Sequence, residues 1–166
     1  MNAIGSSAVA TATALGIVWT RGQFGLIATG PIDAGSRLFR AAGEVVAHPS
    51  RLSIQIGRGR HLDVPAGASL QEQLDRYPWR FLNHSCAPNA AFRGRDLTAI
   101  RAIAAGEPIC FDYNTTEFDM AHPFACSCGA SHCLGTVRGF GHLDATQRAR
   151  VAPHAMPHVL RAGPTS

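Results

Sequence analysis

Residues 80–89 read Arg80-Phe81-Leu82-Asn83-His84-Ser85-Cys86-Ala87-Pro88-Asn89, a dense run of chemistry-bearing side chains in a chain of 166 residues. Asn83-His84-Ser85 places polar groups in a turn, His84 is available as a base, and Cys86 is available as a nucleophile or a metal ligand. A neighbouring Cys and His alone are more often structural than catalytic. Immediately upstream, Ser69 is set to cap a short helix, with Glu72 as capping-box partner and Leu70 and Leu74 at helical spacing; Pro78 ends it. Downstream, Ala90–Phe92 and Leu97–Ile100 flank Arg93-Gly94-Arg95-Asp96 and read as a hairpin. Pro108–Tyr113 reads as a further strand, in which the period of two puts Phe111 and Tyr113 on one face. Cys110 reads as a packed strand residue.

Further out, Cys126-Ser127-Cys128-Gly129-Ala130-Ser131-His132-Cys133 forms a C-x-C-x4-C cluster. Three thiolates so close need a counter-charge, and Zn²⁺ supplies it while asking for four tetrahedral ligands. The fourth comes from His132 or from elsewhere in the chain; the alternative is a chance grouping of inert thiols. Toward the N-terminus, short runs at Leu15–Thr20, Phe24–Thr29, Arg37–Phe39, Val45–Val46, Ser53–Ile56 and His61–Val64, divided by Gly and Pro, predict strands of a small irregular β fold. Ile32-Asp33-Ala34-Gly35 and Ile103-Ala104-Ala105-Gly106 echo each other, each a Gly turn feeding a strand, which is too little for a repeat array. Asp144 is set to cap a second short helix, and the Pro- and His-containing tail beyond it is expected to fray.

Length and composition bound the rest. At 17.6 kDa, 46% hydrophobic and 16% charged, the chain is sized for one domain with a core of its own and is not disordered. No apolar run reaches the roughly 18 residues of a membrane span, and the N-terminus lacks the basic flank of a secretory signal, so the expected location is cytoplasmic. Five cysteines, an odd number, then favour metal binding or burial over disulfides. The formal charge of +4 comes from scattered arginines without a run, so nucleic acid is not indicated. Histidines 48, 61, 122, 142, 154 and 158 show no ligand spacing.

In this order the segments resemble the SET-domain family of protein lysine methyltransferases. Residues 80–89 are similar to the family's R-F-x-N-H-S-C-x-P-N element, and Gly106-Glu107 through Phe111-Asp112-Tyr113 to its G-E-x-x-x-F-D-Y element. The cysteine cluster is similar to the post-SET motif, and Gly22-Gln23-Phe24-Gly25 stands in the place of the opening G-x-G, with Gln23 where the first Gly is usual. The resemblance covers about residues 15–141 and implies a mainly β, pseudoknotted fold of small sheets with few short helices and a C-terminal zinc-bound segment. It divides the chain into an N-terminal extension (1–14), the SET domain (15–124), the post-SET segment (125–141) and a tail (142–166).

The resemblance implies a pocket for S-adenosylmethionine lined by Gln23, Phe24, Gly25, Arg80, Phe81, Asn83 and His84. Phe140 either folds onto the adenine or packs in the core. Tyr113 is the implied active-site phenol, with Phe111 beside it leaving room for an already methylated amine. Cys86 is the implied fourth zinc ligand beside Cys126, Cys128 and Cys133. The acceptor is a lysine amine of a protein. A small-molecule amine is the alternative, because the Glu44–Tyr77 region, where the family builds its recognition insert, is short. A non-catalytic zinc-stabilised binding module is a third reading.

Overall fold

The structure, a computed structural model, describes residues 14–20 and 22–162; most of the 1–14 extension and the last residues of the tail lie outside the described residues. Among the described residues, twelve short strands build five small sheets. β1 (Leu15–Thr20) and β2 (Gln23–Ala28) form an antiparallel hairpin. β3 (Arg37–Arg40) pairs with β9 (Asp96–Ala99), which pairs with β8 (Ala90–Arg93). β4 (Glu44–Val46), β6 (Arg60–Asp63) and β5 (Ile54–Gly57) make a second three-stranded sheet in that order. β7 (Asn83–His84) and β10 (Cys110–Phe111) pair in parallel, and β11 (Phe124–Ala125) pairs with β12 (Thr136–Val137). This is the mainly β architecture of small sheets with few short helices that the sequence predicts.

Eight strands agree with the expected runs to within a residue or two; β7, where the sequence predicts a turn, and β11 and β12 have no predicted run, and one predicted run is cut short. The run Pro108–Tyr113 is strand only at Cys110–Phe111, and Tyr113 opens a 3-10 turn, Tyr113–Thr115. The reason is local. The Asp112 carboxylate caps the Asn114 N–H at 2.9 Å and its side-chain amide at 2.7 Å, offering the backbone an alternative to the ladder. The two echoing segments pair with each other: Ile32 and Ile103 exchange N–H to C=O bonds of 2.9 Å in an antiparallel bridge.

α1 (Leu70–Arg76) carries the predicted capping box between Ser69 and Glu72, yet buries no residue. Leu70 is 53% exposed, so caps rather than an apolar face hold this helix. The main core lies between the sheets and includes Leu26, Leu38, Trp79, Phe92, Leu97, Ile109 and Phe111. Truncating a residue such as Phe92, 2% exposed, costs about 3–5 kcal/mol by transfer and cavity terms.

The C-terminal residues depart from expectation. α2 (Ala145–Val151), capped by Asp144, and α3 (Pro157–Leu160) do not fray; with Phe140, Leu143, Val151, Ala155 and Val159 they form a second small core. Met156 N–H donates to Thr115 O at 2.8 Å, and His158 Nε2 donates to Thr116 O at 2.7 Å, so the tail closes over the turn that carries Tyr113. The apolar residues are four apart or interrupted by Pro153 and Pro157, which hides their common face in the sequence. Among the described residues no helix is long and apolar enough to cross a membrane.

Candidate active site and metal centre

The parallel pair β7/β10 puts Asn83 beside Cys110 and His84 beside Phe111, joining two motifs 27 positions apart. Asn89, 2% exposed, pins the arrangement: its Oδ1 accepts from Cys110 N–H at 2.9 Å and its Nδ2 donates to Pro108 O at 2.8 Å. Tyr113 therefore arrives at a fixed place. Its hydroxyl donates to Leu82 O at 2.7 Å, and its ring lies 4.8 Å from Phe111, 5.3 Å from His84 and 5.8 Å from Phe124 between centroids. Burial pushes its pKa up, so the phenol stays neutral. A cavity of about 50 Å³ opens beside it, lined by Tyr113, Phe111, Leu82, Trp79, Arg80 and Glu117 and rimmed by residues 49–54 and 120–122.

On another side stand the residues of β2. Asn83 Nδ2 donates to Phe24 O at 3.0 Å, and a Cβ on Gly25 would sit 3.2 Å from that nitrogen, so only a glycine lets the strand approach unhindered. Phe24 meets Phe81 edge-on at 5.1 Å and Trp19 at 4.7 Å. Gln23 is exposed at the start of the strand. Phe124, which sequence reasoning passed over, lies 5.7 Å from the His84 ring.

Two of the expected pocket residues do not stand beside β2. Arg80 turns to the Tyr113 cavity, where its guanidinium pairs with Asp63 at 3.0 Å and bonds Gln73 at 3.2 Å. Phe140 takes the packing alternative: it is 7% exposed in the second core, with Arg148 5.6 Å above its ring. Arg80 lies within the 3-10 turn Pro78–Phe81, which turns its side chain toward α1, and Gly139, at φ +110°, redirects the chain so that Phe140 N–H reaches Glu117 O at 2.8 Å.

His84 is not placed as a base. Its imidazole side chain is 2% exposed; Nδ1 accepts from Tyr113 N–H at 3.2 Å, which leaves the hydrogen on Nε2, 3.3 Å from Cys86 Sγ. Burial lowers its pKa to about 4. The ring is thus a neutral strut between Cys86 and the turn of Tyr113.

The ligand atoms of Cys86, Cys126, Cys128 and Cys133 all lie within 4.8 Å of one another. A tetrahedron with metal–sulfur bonds of about 2.3 Å has edges of roughly 3.8 Å, so the four thiols fit Zn²⁺. His132 is excluded as the fourth ligand because its Nε2 bonds Cys86 O at 2.8 Å. Cys110 is not part of the group; its thiol is pushed up to about 11 by burial.

The family model described as SET domain matches residues 23–114, more than half of the chain. The chain belongs to the SET-domain family. Among its relatives, Methyltransferase flvH of Aspergillus flavus is 34% identical over 83 residues, covering 45% of this chain and 45% of that protein. A histone-lysine N-methyltransferase, H3 lysine-36 specific, of Yarrowia lipolytica is 34% identical over 131 residues, 70% of this chain and 17% of that protein. A solved SET-fold chain, KRYPTONITE in complex with mCHG DNA and SAH, superposes with a TM-score of 0.56 at 22% identity, covering 75% of this chain and 29% of that one. This SET chain spans less than half the length of the curated relatives it matches.

Proposed function

We propose that the protein is an S-adenosylmethionine-dependent methyltransferase that acts on a lysine side-chain amine of a protein. The observation that carries this reading is the Tyr113 phenol, held by Leu82 O at 2.7 Å beside a cavity floored by Phe111, in a SET framework. Residues 23–25 with Asn83, Phe81 and Phe124 supply the cradle for the cofactor: a glycine for close approach, a side-chain amide, and aromatic edges. S-adenosylmethionine, when bound, supplies a methyl group already activated on a sulfonium.

Little covalent machinery is then required. The cavity side chains exclude water, and Tyr113, its proton committed to Leu82 O, presents oxygen lone pairs that orient an amine in line with the methyl. Phe111, 3% exposed, leaves apolar room for an amine that already carries methyl groups. Zn²⁺, when held by the four thiolates, would tie the segment around residues 126–133 to Cys86 next to the site.

The test is binding followed by transfer. S-adenosylmethionine should raise the melting temperature of the zinc-loaded protein, and labelled cofactor should mark a protein band in a lysate. No binding at millimolar cofactor by the folded protein removes every enzymatic reading. Label appearing only in the small-amine fraction moves the acceptor from protein to metabolite, a reading kept open by the short Glu44–Tyr77 region.

A further inference from the structure

Four residues beyond Tyr113 the chain buries a carboxyl that nothing above has used. Glu117 N–H donates to Tyr113 O at 2.9 Å, which fixes the side chain to the turn, and the residue is 8% exposed. Its Oε1 accepts from Gln55 N–H at 2.7 Å and from Thr116 Oγ1 at 3.3 Å. Oε2 makes no hydrogen bond with any described residue, while Glu117 lines the same cavity as Tyr113 and Phe111. Among the described residues no cation pairs with it. Arg80, on the cavity wall, is held by Asp63; His158, on α3, spends Nε2 on Thr116 O; Arg51 and His122 also line the cavity and are exposed, and neither is ion-paired with Glu117.

A buried carboxylate without a counter-ion is costly, and an amide or apolar side chain of the same size would avoid the cost. Its presence in the wall of an acceptor cavity is explained by a cation that arrives with the substrate. We infer that Glu117 recognises the primary ammonium ion of the acceptor and takes one proton from it before methyl transfer. The inference rests on the methyltransferase reading and adds to it the charge state in which the acceptor enters.

The step balances simply. The ammonium N–H bond breaks and a carboxyl O–H bond forms, giving a neutral amine and a carboxylic acid. The amine lone pair then forms the new N–C bond as the S–C bond breaks, leaving a thioether and a methylated ammonium. The carboxylic acid returns its proton to water as the product leaves, ready for another round. Two titratable groups beside the turn are not free to do this: Tyr113 is a neutral phenol whose pKa is pushed up, and the His84 ring is committed at both nitrogens. Burial also pushes the Glu117 carboxyl up to about 7, so near neutral pH it both holds and releases a proton.

The experiment compares wild type with Glu117→Gln, which keeps an acceptor for Gln55 N–H and removes the proton site. Methyl transfer from labelled S-adenosylmethionine is measured on histone octamers and on n-butylamine from about pH 6 to about pH 9.5, with n-butylammonium binding measured separately in the presence of S-adenosylhomocysteine. In the wild type kcat/KM should rise to about pH 7 and level off. In Glu117→Gln it should be about a hundredfold lower near pH 7 and keep rising toward the free amine's pKa of about 10.4, the two profiles converging at high pH. Butylammonium should bind the variant about tenfold more weakly.

In the wild type alone, the carboxyl ¹³C resonance of Glu117 should move when butylammonium is added. Equal profiles and equal butylammonium affinity, or an unmoved resonance, overturn the inference and leave the methyltransferase reading standing. Butylammonium binding that depends on Glu117 without transfer to any acceptor overturns that reading and the proton step, while it supports the ammonium site.

Discussion

The β7/β10 and β11/β12 pairs are both ladders of two residues per strand, yet they are held by different forces. Around β7 and β10 the chain buries Trp79, Phe81, Leu82, Phe92, Ile109 and Phe111, and Asn89 satisfies the strand end from its own interior. Between Ala125 and Thr136 no residue is buried, and the loop is organised around four sulfur atoms. A two-stranded ladder is marginal by itself. One pair is therefore made permanent by apolar burial, while the loop joining the strands of the other is built around four thiols placed to hold a metal, and His84 is the strut between them.

Removing the metal breaks that comparison most directly. Structural zinc contributes on the order of 10 kcal/mol of apparent folding energy in small sites, far above what the β11/β12 ladder offers. In Cys128→Ser, or with a strong chelator, hydrogen exchange should lose protection at Cys126 N–H and Cys133 N–H, while Ile103 and Cys110 N–H keep theirs. Metal analysis of the wild type should find about one zinc per chain. Equal protection with and without metal would mean that packing holds the loop as well.

The next largest effect is expected inside the apolar half. Tyr113→Phe keeps the ring contacts with Phe111, His84 and Phe124 and deletes only the hydroxyl. Misplacing the amine should lower turnover about a hundredfold with cofactor affinity unchanged. Leu82 O, left without its donor, should cost about 1 kcal/mol of stability, read as a lower melting temperature. Turnover equal to wild type would remove Tyr113 from the mechanism.

Glu117 gives the same region a pH signature of its own. Its folded pKa, about 7, lies above the unfolded value of 4.5. Below pH 4.5 both states carry the proton. Between 4.5 and about 7 only the folded state keeps it, so stability falls as pH rises through that window and levels off above it. The loss is on the order of 3 kcal/mol. Glu117→Gln should abolish this slope and melt higher than wild type at about pH 8. An unchanged slope would show that the carboxyl ionises freely in the fold.

The smallest effect is one of product distribution. At Phe111→Tyr the added hydroxyl enters the cavity beside Tyr113 and takes the room of a methylated amine, so mass spectrometry should show a shift from di- and trimethyl toward monomethyl product. Exclusively monomethyl product from wild type at exhaustive turnover would deny Phe111 this role.

What the sequence made legible follows the same division. Motifs whose chemistry is local could be read directly: the Ser69–Glu72 capping box, the hairpin around Gly94, and a thiol group whose spacing asks for one more ligand. The family resemblance supplied Cys86, and the sulfur positions agree with it. Features set by how the chain is redirected could not be read. Arg80 faces the Tyr113 cavity because of the 3-10 turn at Pro78, and Tyr113 leaves its strand because Asp112 caps the next residues. Glu117 carries no motif; it stands among Thr, Thr and Phe, and its burial is decided by β5 and α3, far away in sequence.

The tail that closes over the catalytic turn also imposes an order in time. A chain made from its N-terminus presents Tyr113 and the carbonyls of Thr115 and Thr116 well before Met156 and His158, their hydrogen-bond partners, have been synthesised. Until those residues arrive the turn is held by its Asp112 cap and its own backbone bonds, with the Thr115 and Thr116 carbonyls left to water. On the methyltransferase reading proposed above, a nascent chain is expected to lack the complete site until the segment through His158 has docked.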